Sequence, residues 1–216
     1  MPIKNADDTY RVFRNLLLEE FNYNQILDFV EFMSSTNIIH GRIIEGKNDW
    51  FLLECNSIFN EEGIGYQFIN GQITSITDPL EINKIEESLN VFKPSKVHLI
   101  NALRLLSDKK EPDYKNSIKE AISAVESICT HISTKNTLGD ALKEICKSGK
   151  VDIHGSLKEG FLKIYGYTSD AGGIRHSLEF NDSNNVDYED AKFMLIACSA
   201  FINYLKVKID KAGIKL

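Results

Sequence analysis

Long apolar runs are missing from this chain of 216 residues. No stretch approaches the roughly 18 apolar residues that would cross a bilayer. The opening MPIKNADDTYR has no apolar signal-peptide core. A cytoplasmic protein without a membrane partner is therefore expected. Cysteine pairs at metal or redox spacing are missing too. Cys55, Cys129, Cys146 and Cys198 stand apart in apolar or helical surroundings, which predicts reduced, mostly buried thiols and neither a disulfide framework nor a zinc site. His131 follows Cys129 but has no second ligand pair. His154 stands in the loop VDIHGS and is a poor lone candidate, while His40 and His98 show no partner in sequence and read as structural or exposed. There is no P-loop, GxSxG or HExxH, which leaves ATPases, kinases, α/β-hydrolases and zincins without support. No cofactor is expected. Repeats, low-complexity runs and heptads are also lacking.

The chain is otherwise of ordinary globular composition, 43% apolar and 26% charged. Its length allows one domain or two small ones. The net charge of −6 is unevenly spread. Residues 1–94 carry 7 Lys and Arg against 15 Asp and Glu, whereas residues 95–216 carry 18 against 16. An acidic front half repels nucleic acid, and a local basic site is to be sought in the second half.

The hydrophobic period divides the chain in the same way. Tyr10, Phe13, Leu16/Leu17, Phe21, Ile26, Phe29/Val30 and Phe32/Met33 recur every three or four residues, which predicts two short amphipathic helices. The period changes from Trp50 onward. GYQFINGQITSI reads as a hairpin around Asn70–Gly71, a pair that tolerates the positive φ of a type I′ turn. Tyr66 and Phe68 either present a recognition surface or pack onto neighbouring helices. A helix then starts at Asp78 as N-cap, with Pro79 in the first turn and Glu81 at the capping-box position. Past FKPSK the pattern predicts helices over 95–107, 113–132, 138–147, 156–166 and 187–210. The last is apolar on more than one face, so it should run through the middle of a helical bundle. Asp187, Glu189 and Asp190 suit the positive end of its dipole. The expected fold is α+β: a small helix and hairpin domain over 1–94, then an all-α bundle over 95–216.

One loop interrupts the helical half, TSDAGGIRHSLEF over 168–180. Gly172 and Gly173 allow backbone shapes that can gather amides around an anion, or simply mark a loop. Arg175 can hold a phosphate through two parallel hydrogen bonds. The imidazole of His176 suits proton transfer near neutrality. The alternative is structural, with Arg175 paired to Glu120, Glu126, Glu189 or Asp190 and His176 filling a helix-end corner. Glu126 stands among Ala121, Ile122, Val125 and Cys129, where a carboxylate needs a partner or an edge position.

Two blocks carry a family resemblance. GYTSDAGGIRHSL followed by DAKFMLIACSAFINYL resembles the C-terminal helical domain of bacterial abortive-infection proteins, a branch of the HEPN superfamily. IFNEEGIGYQFINGQITSI with EINKIEESL resembles an N-terminal module of AbiJ-type phage-defence proteins. The resemblance implies a homodimeric HEPN bundle with a metal-independent endoribonuclease site at the dimer interface. RNA, tRNA included, is the implied substrate, and a phage trigger or an antitoxin protein is an implied partner. Arg175 takes the place of the motif's arginine, His176 that of the polar residue after it, and Glu126 that of a supporting carboxylate. The motif's final histidine would fall at 180–182, where this chain has Phe180, Asn181 and Asp182. A non-catalytic HEPN module that binds RNA or protein is the reading this departure favours.

Overall fold

In the computed structural model, residues 6–39, 42–46, 48–149, 151–170 and 186–216 are described. Helix α1, Ala6–Asn15, continues into a π-helical turn, Leu16–Glu20. Asn22 then starts α2, Tyr23–Ser34, through a capping box: its side chain accepts from the Gln25 N–H, and the Gln25 side chain accepts from the Asn22 N–H. Strands β1, Thr36–Ile39, and β2, Arg42–Glu45, form an antiparallel hairpin with Thr36 opposite Glu45. Asn48 caps α3, Asp49–Glu61, by accepting from the Phe51 N–H. Helix thus persists through the stretch where the sequence predicts a change of period, and extended structure resumes only at Gln67.

Strands β3, Gln67–Ile69, and β4, Gln72–Thr74, flank the expected turn. Asn70 and Gly71 both have positive φ, 50° and 86°, as a type I′ turn demands. The hairpin's aromatic residues face inward. Phe68 is 3% exposed and stacks on Phe59 at 6.1 Å, and Tyr66 rests against Tyr23 at 5.8 Å. Asn56 on α3 clamps β3 twice, accepting from the Phe68 N–H and donating to its carbonyl. Of the two readings of Tyr66 and Phe68, packing is the one observed.

The chain divides by packing into two compact units, residues 1–73 and 74–216. The first has a small core of Leu27, Leu52, Phe59, Phe68 and Ile73, with Val30, Cys55, Ile64 and Tyr66 against it. The second begins with α4, Pro79–Ser88, where the Asp78 carboxylate accepts from the Leu80 and Glu81 N–H groups. Helices α5, Lys93–Ser107, α6, Tyr114–His131, α7, Leu138–Ser148, α8, Gly155–Asp170, and α9, Tyr188–Lys211, follow. Their bounds agree with the sequence pattern to within about a turn. Four of these five starts have a local cap. Asp113 accepts from the Asn116 N–H, Thr137 from the Asp140 N–H, and His154 Nδ1 from the Ser156 N–H. Asp187 and Asp190 cap α9 reciprocally. Gly149, in the left-handed region at φ 65°, closes α7.

Helix α9 is the centre of this unit. It packs on α4, α5 and α6 and buries Ala191, Met194, Leu195, Cys198, Ser199, Phe201, Ile202, Leu205 and Ile209. The bundle position expected from its apolar faces is the one found. Lys192 pairs with Glu81 at 2.7 Å, so that carboxylate is drawn to α9. Helix α4 therefore packs with the second unit, while the change of charge and period lies beyond it, near residue 90. Among the described residues no helix is long and apolar enough to cross a membrane.

Candidate functional site

Helix α6 presents a polar face in the second unit. Ser117, Ile118, Ala121, Ile122, Ala124, Val125, Ile128 and Cys129 are buried. That stripe leaves Glu120, Ser123, Glu126, Ser127 and Thr130 along the other side, spaced three and four apart so that they line up. Helix α5 packs along α6 and brings His98 to this row. The His98 Nδ1 lies 2.7 Å from Glu120 Oε2. Together with Asn136 from the α6–α7 connection, His98, Ser123, Glu126, Ser127 and Thr130 line an open groove of about 350 Å³.

The hydrogen bonds fix what the groove offers. Ser123, Ser127 and Thr130 donate their hydroxyl protons to the carbonyls of Lys119, Ala124 and Glu126 at 2.9, 2.8 and 2.8 Å. Their remaining lone pairs are acceptors. Glu126 Oε1 accepts from the Leu138 N–H at 3.0 Å, so the carboxylate sits at the positive end of α7. The sequence demand that Glu126 have a partner is met in this way. Close by, Glu144 accepts from Ser133 and Thr134, and these hydrogen bonds hold its carboxyl below the usual range. Burial pushes the Cys129 thiol up, with Cys146 and Glu126 adding to it, so Cys129 is no nucleophile.

The other expected residues are placed less completely. Arg175, His176, Gly172 and Gly173 lie outside the described residues, and so does His40. Of the four carboxylates considered as partners of Arg175, Glu120 meets His98 and Asp190 caps α9. His98, read from sequence as having no partner, has one in Glu120. The two are 22 residues apart on different helices, and no spacing rule links them. His154 serves as a helix cap. His131 packs against Phe92 at 4.9 Å and borders a second hollow of about 410 Å³ with Ile132, Ala212, Ile214 and Lys215. That hollow is larger, but no carboxylate side chain is among the described residues that line it, so the groove beside α6 is the better chemical candidate. Among the described residues no group of three or more His, Cys, Asp and Glu side chains could hold a metal ion.

No curated protein and no solved structure matches this chain. Residues 2–91 match the family model of AbiJ N-terminal domain 4. The matched stretch contains the Asn70–Gly71 hairpin and α4, the segments that carried the resemblance in sequence. The front of the chain is thus similar to AbiJ-type N-terminal domains.

Proposed function

We propose that this is an abortive-infection protein of phage defence, in which an AbiJ-type module over 1–94 is joined to a HEPN-type bundle over 95–216 that cleaves RNA without a metal. The observation that carries the defence role is the AbiJ N-terminal domain over 2–91. The nuclease reading adds the IRH stretch, residues 174–176, which precedes the central helix α9 in sequence. Arg175 balances the charge of the phosphorane, and His176 transfers a proton. Gly172 and Gly173 let backbone amides approach the phosphate. Glu126 is the supporting carboxylate, held at the start of α7. Two copies assemble so that the loops face one cleft, and a phage component or an antitoxin controls the pair.

A second reading has its own observation, since Phe180, Asn181 and Asp182 stand where the HEPN motif would close with a histidine. On that reading the bundle binds RNA or a protein and cleaves nothing. Purified wild type, Arg175→Ala and His176→Ala incubated with total RNA and with tRNA in EDTA separate the two. Cleavage by wild type alone supports the nuclease. RNA left intact by all three, but still bound, supports the binding module.

A further inference from the structure

Helix α9 is apolar on two sides, and the bundle uses only one of them. Met194, Cys198, Leu205 and Ile209 mark the buried side, at helical spacings of four and seven. On the opposite side Phe193, Ala200 and Val207 follow one another every seven residues and are exposed, Phe193 at 58% and Val207 at 53%. Ile196 and Tyr204 lie beside them, half-buried. Charges of opposite sign frame this outer stripe. Glu189 is exposed in the first turn of α9. At the far end Lys206 pairs with Asp210 and Lys208 with Asp152, which leaves Lys211 as the exposed cation. We infer that a second copy of this chain docks on the outer stripe, its α9 running antiparallel across a two-fold axis at Ala200.

The occupant follows from the symmetry of the stripe. Counted from Ala200, Phe193 and Val207 are each seven residues away, Ile196 and Tyr204 four, and Glu189 and Lys211 eleven. A two-fold axis at Ala200 therefore sets each residue opposite its counterpart in the other copy. Phe193 meets the partner's Val207, Ile196 the partner's Tyr204, and Glu189 the partner's Lys211. A parallel pair would instead set Glu189 against Glu189 and Lys211 against Lys211, so the charges select the antiparallel arrangement. Helix dipoles favour the same choice. Ala200 is small, which lets the two axes approach to about 8 Å where they cross. Exposed charge pairs are individually weak, so the apolar stripe supplies most of the affinity and the charges set the direction. The contact needs no residue of the IRH stretch and is independent of the nuclease reading.

The test uses the full chain. Sedimentation over a concentration series should show a monomer–dimer equilibrium in the micromolar range, as befits a small interface. Ala200→Arg sets two guanidinium groups against each other on the axis and is well tolerated in a helix. It should leave the chain monomeric with unchanged far-UV circular dichroism. Glu189→Lys and Lys211→Glu should each weaken the dimer by about 10-fold, and the double reversal should restore it to within about three-fold. Mild oxidation should cross-link Ala200→Cys to its own copy, above the wild-type background from Cys55 and Cys146. Val207→Cys should not cross-link, because its two copies lie about 21 Å apart along an antiparallel pair. A wild type that sediments as a monomer throughout would overturn the inference, as would a dimer that Ala200→Arg leaves intact. Equal cross-linking of both cysteine variants would mean a parallel pair and would overturn the axis at Ala200. RNA plays no part in these readouts, so the nuclease reading stands or falls separately.

Discussion

The two units of this chain spend their hydrophobic residues differently. In the second, Leu99, Leu103, Ile118, Ile122, Leu142, Ile145, Ile202 and Leu205 are fully buried. In the first, the buried cluster is five residues, while Tyr10, Phe13, Leu18, Tyr23, Phe32, Trp50, Leu53 and Ile58 are exposed. Burial removes apolar surface from water at roughly 25 cal/mol per Å², so the second unit holds most of the stabilising free energy. The first resembles an adaptor, stable enough to keep a shape and still carrying apolar surface. That contrast fits the proposed division between a nuclease bundle and a front recognition module.

Unfolding experiments can break this comparison. Leu205→Ala in the second unit should cost about 3 kcal/mol, because a filled site around α9 cannot collapse over the cavity. Leu27→Ala in the first should cost about 2 kcal/mol, since its small core relaxes more easily. Equal losses in urea titrations would erase the distinction. Asp187→Ala removes the cap of α9 and should cost about 1 kcal/mol. Trp50, 70% exposed, should tolerate alanine within about 0.5 kcal/mol. A larger loss would mean that the exposed face of α3 is covered in solution.

Thiol chemistry sharpens the same contrast. Burial pushes all four thiols up, but Cys129 and Cys198 are fully buried while Cys55 and Cys146 are partly accessible. Near neutral pH two thiols should react with a disulfide reagent in the native protein, and two only on unfolding. Four fast thiols would contradict the packing around α9.

The helices of the second unit were legible because most pair a regular apolar stripe with a local start signal, as at Asp113 and Thr137. The Asn70–Gly71 hairpin was legible through two residues that accept positive φ. The β1–β2 hairpin was not, because TNII and RIIE each hold only one Ile-Ile pair, which fits helix or strand equally. Helix α3 was obscured by the unbroken run Trp50 to Leu53, which blurs a single stripe, although Asn48 marked its start. At the candidate site the need of Glu126 for a partner was readable, but its partner, a backbone N–H at the start of α7, was not. The His98–Glu120 pair exists only once α5 lies along α6, and pairing of that kind leaves no local trace.

The most direct test of the account is the chemistry of the RNA ends that the wild-type protein makes in EDTA. The account predicts fragments ending in a 2′,3′-cyclic phosphate, with 5′-hydroxyls on the other side of each cut, and their disappearance in Arg175→Ala. Intact RNA, or cleavage that leaves 5′-phosphates, would contradict it.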